Sequence, residues 1–294
     1  MFRDGRLPSA TPALDPPLEV AHEQHVHTRV SVTNVPMSLD LRSLGWDEHF
    51  RAAYRRHDRP DQEPARVTTV ERGIVGLLSG CGPVRASLGG GLLAAAAQDR
   101  RRLPCTGDWA VLRSWPDDRA TLELVLPRRT HCLDPDTELR LANVDTLALL
   151  VPAVPEPDPA EARRLLELAT RSGIPAIVVV TKVDLLDRPL RTLVPGAAQL
   201  ALSARRGDGV DALRALVRPG RTLALIGGSG SGKSALVNAL ARAIVMPTHP
   251  VRRLDRRGRS ATNRPALVPL PGGGAVVDTP GSAADAGRIV RQAR

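Results

Sequence analysis

Aromatic residues make up only 2% of the sequence. That is too few for a nucleic-acid surface built on stacked rings, so any RNA contact must rest on arginine side chains and backbone. Cysteine is also scarce. Cys81, Cys105 and Cys132 are scattered, show no C-x-x-C pairing and have no histidine at metal-ligand spacing. A disulfide framework is thereby excluded, and three small buried residues in a reducing compartment are expected. No run of apolar residues reaches the roughly 18 that a membrane-spanning helix needs. The N-terminus has no apolar signal region, and a cytoplasmic location is expected.

What is present is enough for two domains with a sizeable core: 294 residues, of which 42% are hydrophobic. Lys and Arg total 41 against 31 Asp and Glu, a net charge of +10, and nearly all the cations are arginine. The balance points to an anionic partner such as nucleic acid, although an arginine-preferring genome produces the same excess.

Residues 1–36 are rich in Pro, Thr, His and charge without apolar periodicity, and read as a disordered extension. From Met37, "MSLDLRSLGWDEHFRAAY" has helical spacing at Leu41, Leu44 and Phe50, which makes Met37 the expected native start and 37–64 a helical segment. Over 65–132, "ARVTTVERGIVGLLS", "GPVRASLG", "GDWAVLRSW" and "RATLELVLPRR" are short Val-, Leu- and Thr-rich runs separated by turn residues. They predict a small all-β, OB-fold-like barrel; an SH3-like barrel fits the spacing equally. Gly-rich "LGGGLL" at 88–93 and Arg100-Arg101-Arg102 are expected to form an exposed loop.

The remainder, 133–294, alternates strand and helix as a parallel sheet does. "DTLALLVPAV", "PAIVVV", "AAQLALSA", "TLALIG" and "AVVDTPG" read as strands, and "GVDALRALV" as a short helix. "DPAEARRLLELATRSG" is a helix capped by Asp158, opened by Pro159 and ended by Gly173, with Ala162, Leu165, Leu166 and Ala169 on its apolar face. "AADAGRIVRQ" can form a last helix.

The strongest motif is Gly227-Gly228-Ser229-Gly230-Ser231-Gly232-Lys233-Ser234, a G-x-x-x-x-G-K-S set between an apolar strand and a helix over 233–243. In that context backbone N–H groups wrap phosphates, Lys233 reaches the β- and γ-phosphates, and the Ser234 hydroxyl ligates Mg²⁺. Asp278-Thr279-Pro280-Gly281 ends another strand; Asp278 can hold a Mg²⁺-bound water and the Gly281 N–H can sense a γ-phosphate. Thr181-Lys182-Val183-Asp184 also ends a strand. The Asp184 carboxylate can accept from the ring N–H and exocyclic amine of guanine, a pair adenine lacks, while the Lys182 stem covers the ring. Ser203-Ala204-Arg205 follows a strand too, where a backbone N–H can meet the guanine carbonyl.

The order is T-K-x-D, S-A-x, G-x-x-x-x-G-K-S, D-x-x-G: the GTPase set with its halves exchanged. It resembles the circularly permuted GTPases, and with a barrel ahead of it, the ribosome small-subunit-dependent GTPase family. Gly107-Asp108-Trp109, "LPRR" at 126–129, "ANVD" at 142–145 and "LPGGGAVVDTPG" at 270–281 also match, so the resemblance spans about 65–281. It implies a circularly permuted α/β P-loop GTPase domain behind an OB-fold-like barrel that touches ribosomal RNA. It also implies GTP and GDP binding with Mg²⁺, hydrolysis accelerated by the small ribosomal subunit, and a role in maturing that subunit. A monomer is expected.

The sequence departs from the family's pattern in places. The switch I threonine triplet becomes "GRSATNR" over 258–264, leaving Thr262 as the hydroxyl for Mg²⁺. Thr181 stands where Asn is commoner. The family's C-terminal zinc domain has no Cys/His counterpart after Gly281, so no zinc is expected. Ser282 and Ala283, rather than a water-positioning Gln or His, follow the D-x-x-G. Slow intrinsic hydrolysis, accelerated in trans, is the consequence. Arg252, Arg253, Arg256, Arg257, Arg259 and Arg264 flank switch I, where they could meet RNA phosphates, help neutralise the nucleotide, or simply be solvated. Two alternatives stay open: a paralogue that binds nucleotide and RNA with little turnover, and a P-loop ATPase or kinase, which would need no guanine reader.

Overall fold

The computed structural model describes residues 39–134, 139–154, 156–187, 189–246 and 264–281. The expected N-terminal extension, Thr262, the five arginines from Arg252 to Arg259 and the last helix lie outside them.

The helical spacing after Met37 is realised in two pieces. A 3-10 turn over Leu41–Leu44 stops at Gly45, which takes φ 97, and helix α1 (Glu48–Tyr54) then starts from an Asp47 cap. Strands β1 (Gln62–Val70), β2 (Ile74–Ser79) and β3 (Gly82–Leu88) follow as an antiparallel meander. Helix α2 (Gly90–Gln98) precedes β4 (Trp109–Ser114) and β5 (Ala120–Val125). The five strands close in the order β1-β2-β3-β5-β4, with β4 returning to β1. Five strands with a helix between the third and fourth make an OB-fold-like barrel, filled by Ala65, Val67, Leu77, Ala110, Leu112 and Leu122.

The loop expected at 88–93 is the start of α2. Its run of four alanines, Ala94 to Ala97, supplies the helix propensity that the three preceding glycines hide. Gly89 leads into it with no side-chain cap, and the Glu123 carboxylate lies 3.1 Å from where a Gly89 Cβ would be. A carboxylate at a helix N-terminus opposes the dipole favourably.

A hairpin, β6 (His131–Asp134) with β7 (Leu139–Ala142), leads to the second part. There β8 (Thr146–Pro152), α3 (Pro159–Ser172), β9 (Ala176–Thr181), β10 (Gln199–Ala201), α4 (Val210–Arg214), β11 (Thr222–Gly227), α5 (Lys233–Ala241), β12 (Ala266–Pro269) and β13 (Ala275–Asp278) follow. The sheet order is β10-β9-β8-β11-β13-β12, parallel except for edge strand β12. Successive residues of the central strands serve opposite faces. Leu147 and Leu149 pack with α3, whereas Ala148 and Leu150 pack with α5, so the strands are apolar without alternation. Helix α3 has the cap and stop expected of it, Asp158 accepting from the Ala160 N–H and Gly173 in the left-handed region. Its buried face is Ala162, Leu165, Leu168 and Ala169; Leu166 is only half-buried.

Most of the few aromatics are used in one place. Trp46, Phe50, Tyr54 and Trp109 form a ring cluster, continuous with Leu147 and Leu149 of the sheet. Barrel, α1 and sheet therefore share one core.

Cys105 and Cys132 are buried as expected; Cys81 is exposed. Cys105 Sγ lies 3.8 Å from His131 Nε2. Burial, then Arg128, Arg140 and Arg101, push His131 down to about 4. The unfolded chain takes up that proton near 6.5, while the folded chain refuses it until about 4. Across this window the unfolded state binds more protons, so stability falls as pH drops. Thermal melts of the native protein and His131→Gln between pH 7 and about 4 check this. The variant is expected to lose less Tm on acidification, and parallel curves would refute it.

Candidate functional site

The carboxyl ends of β9, β8, β11 and β13 lie side by side, the edge where open α/β sheets bind ligands. Every described candidate residue is at or beside this edge.

The centre is the turn from β11 into α5. Gly227 cannot carry a side chain, because its Cβ would sit 2.4 Å from the Leu150 carbonyl oxygen of β8. Gly230 at φ 76 and Gly232 at φ 95 occupy the left-handed region that glycine takes without strain. The chain then enters α5 at Lys233. Buried Lys233 Nζ donates to the Gly227 and Gly228 carbonyls at 2.8 and 2.7 Å, closing the loop around its own cation. Ser231 and Ser229 lie within the turn.

On one side, Ser234 Oγ donates to Asp278 Oδ2 at 3.1 Å. Asp278 is fully buried at the end of β13, and Thr279 Oγ1 fastens that end to the Leu225 carbonyl. Two oxygen donors meeting beside the phosphate-loop lysine are the hard ligands that Mg²⁺ prefers. Gly281 then runs against the phosphate loop. A Cβ there would lie 2.7 Å from Ser229 Cα and 2.8 Å from its nitrogen. Gly281→Ala must therefore push two backbones apart, which costs about 1–3 kcal/mol of stability as overpacking does and displaces the phosphate loop at Ser229, so affinity for a GTP analogue is expected to fall. Equilibrium titration measures it; unchanged affinity would show that the contact gives way without cost.

On the other side, buried Thr181 donates its hydroxyl to the Ser231 carbonyl at 2.6 Å. This bond ties the end of β9 directly to the phosphate loop. Lys182 follows with φ 60, an uncommon conformation for a side-chain-bearing residue, and swings the chain into the 3-10 turn Val183–Leu185. Asp184 on this turn is held below the usual carboxylate range, first by a hydrogen bond from Ser203 and then by Arg206 and Arg205. Ser203 is fully buried after β10, accepts from the Arg206 N–H at 3.1 Å, and is followed by half-buried Ala204. Lys182 and Lys233 are the only lysines in the sequence.

The sequence did not point to the contacts behind this edge. Thr106 of the barrel and Arg264 bond across the junction with the sheet, and the other members of the arginine cluster lie outside the described residues. No local pattern signals these pairs, whose partners are far apart in the chain.

A parallel sheet with the phosphate loop after its central strand, and the T-K-x-D strand earlier in the chain, defines a circularly permuted phosphate-loop GTPase. Residues 125–284 match the RsgA GTPase family. The small ribosomal subunit biogenesis GTPase RsgA of Streptomyces coelicolor is 36% identical over 256 residues, covering 82% of this chain and 68% of that protein. That of Opitutus terrae is 36% identical over 264 residues, covering 83% and 72%. The crystal structure of YjeQ from Thermotoga maritima superposes with a TM-score of 0.55 at 24% identity, over 75% of each chain. That of YloQ, a circularly permuted GTPase, gives 0.53 at 19% identity over 78% of this chain and 74% of that one. This chain belongs to the RsgA GTPase family.

Proposed function

We propose that this chain binds GTP with Mg²⁺ at the sheet's carboxyl edge, hydrolyses it to GDP and phosphate, and acts in small ribosomal subunit assembly. The observation that carries this reading is the Thr181–Ser231 bond. It joins a guanine-reading strand end to a phosphate loop, with Asp278 against Ser234 on the far side.

On this reading Asp184, kept ionised, accepts two hydrogen bonds from guanine, the Lys182 stem covers the ring, and the turn at Ser203-Ala204 offers backbone N–H to the base carbonyl. Lys233 exchanges the Gly227 and Gly228 carbonyls for the β- and γ-phosphates, and N–H groups from Gly228 to Ser234 surround them. Ser234 would hold Mg²⁺ directly and Asp278 through water, with Thr262 a further hydroxyl. The metal supplies neutralisation of phosphate charge. Gly281 reports the γ-phosphate through its N–H.

Ser282 and Ala283 offer no side chain to orient water, so turnover by the isolated protein is slow and the small subunit accelerates it. The net charge of +10 suits ribosomal RNA as the partner surface. The relatives named above are biogenesis GTPases of that subunit. The protein works in the cytoplasm as a monomer.

Co-sedimentation with purified small subunits in GTP analogue, GDP and ATP, with hydrolysis followed in parallel GTP and ATP samples, tests the reading. Guanine-selective, nucleotide-dependent binding with subunit-stimulated turnover is expected; equal binding of ATP would sink it. The residues after Gly281 also favour a second reading, a nucleotide-binding scaffold. Nucleotide-dependent binding without turnover in the same samples would establish that instead.

A further inference from the structure

The barrel is fastened to the strand that flanks Asp278. Edge strand β12 runs antiparallel to β13, and its first residue, Ala266, is paired directly with Asp278. Both residues before Ala266 are bound to the barrel. Arg264 Nη1 donates to the Val70 carbonyl at the end of β1, 3.0 Å away. Thr106 Oγ1 donates to the Pro265 carbonyl at 3.2 Å. Thr106 is itself rigidly held. It is 2% exposed, its carbonyl accepts from the Ala142 N–H at 3.0 Å, and a Cβ on neighbouring Gly107 would lie 2.1 Å from the Ala142 carbonyl oxygen. A short physical chain therefore runs from Thr106 through Pro265 and the Ala266–Asp278 pair to Ser234.

We propose that Thr106 and Arg264 are positioning residues, which set the Asp278 carboxylate through β12 and couple the nucleotide's γ-phosphate edge to what the barrel binds. This rests on the chain being a GTPase that engages the small subunit. An edge strand is restrained by sheet pairing on one side only, so a contact at its start moves it more readily than it would move β11, which is paired on both sides. Little movement is needed, because a misplacement of about 1 Å at a reacting centre can change rates by about 10²-fold. Coupling of this kind is reciprocal. If barrel engagement favours the GTP arrangement of Asp278, GTP must tighten subunit binding by the same factor.

The full chain and Thr106→Val, which removes the donor at nearly constant shape, are compared in two titrations. One measures GTP-analogue and GDP affinity with and without purified small subunits. The other measures subunit affinity in each nucleotide. Native coupling is expected in the usual range of about 5- to 150-fold. In Thr106→Val both ratios are expected to fall together to within about twofold of one. Thr106→Ser, which keeps the hydroxyl, restores them. Arg264→Ala changes an exposed side chain, and a reduced ratio is expected there even if the Thr106 variant folds poorly. Native ratios in folded Thr106→Val and Arg264→Ala overturn the proposal and leave the GTPase reading intact. A native chain whose subunit affinity ignores nucleotide overturns both.

Discussion

Asp184→Asn is expected to transfer the base preference of this GTPase from guanine to xanthine, changing the GTP-to-XTP affinity ratio by about 10⁴-fold. Guanine presents two donors side by side, the ring N1–H and the exocyclic amine. A carboxylate accepts both. Asparagine keeps one acceptor and sets its own amide N–H₂ against the guanine amine, donor against donor. Xanthine carries an oxygen where guanine has the amine, so the same amide now donates to it while the remaining oxygen accepts from N1–H. The loss for GTP is larger than one ordinary hydrogen bond, since the native acceptor is ionised. Ser203 and the arginines at 205 and 206 hold Asp184 below the usual carboxylate range. Guanine binding should accordingly persist as pH falls to the ordinary aspartate range and fail only below it. Competition titrations with GTP, XTP and ATP measure the exchange. An Asp184→Asn protein that still prefers GTP would place the base elsewhere.

Much of this site could be read without coordinates because its signals are local. The phosphate loop needs glycines at fixed offsets for left-handed φ, and Gly230 and Gly232 adopt it. Helix α3 carries its own punctuation in Asp158, Pro159 and Gly173. The exchanged motif order follows from sequence alone, since permutation leaves each strand-end motif unchanged. Legibility ends where a residue's role is set by distant partners. In α3 the apolar stripe could be drawn through Leu166 or Leu168, and only the neighbouring hairpin and sheet decide that Leu168 is buried. In α2 a glycine-rich opening outweighed the alanines behind it, because the supporting carboxylate of Glu123 comes from another strand. Thr106 and Pro265 are 159 residues apart, and no periodicity could pair them.

The same limit conceals a buried arginine that joins several parts of the fold. Arg66 lies in β1, among barrel residues, at 2% exposure. Its Nη1 donates to the Leu44 carbonyl at 2.6 Å, and its Nη2 to the Asn143 carbonyl at 3.0 Å and Thr222 Oγ1 at 3.1 Å. One guanidinium thus joins the N-terminal turn, the barrel, the connector and the first residue of β11. Its carbon stands 5.2 Å from the centroid of the Trp109 ring, where a desolvated cation gains from the π face. Burial lowers its pKa to about 10, which still leaves it charged at neutral pH. Arg66→Ala removes the donors and strands three buried acceptors, each costing about 1–3 kcal/mol if water cannot reach it. A total of about 3–5 kcal/mol is expected, a large share of the 5–15 kcal/mol that ordinarily holds a domain together. Arg66→Lys keeps the charge but offers no planar fork to three acceptors, and should recover only part of the loss. Trp46 and Trp109 lie in the core shared with the sheet and Trp115 lies in the barrel after β4, so denaturant unfolding followed by tryptophan fluorescence reports the junction and the barrel while far-ultraviolet circular dichroism follows the whole chain. If Arg66 joins the two parts as the contacts require, its alanine variant shifts the fluorescence transition to lower denaturant. Coincident native midpoints by both probes would show the junction is held by the aromatic core alone.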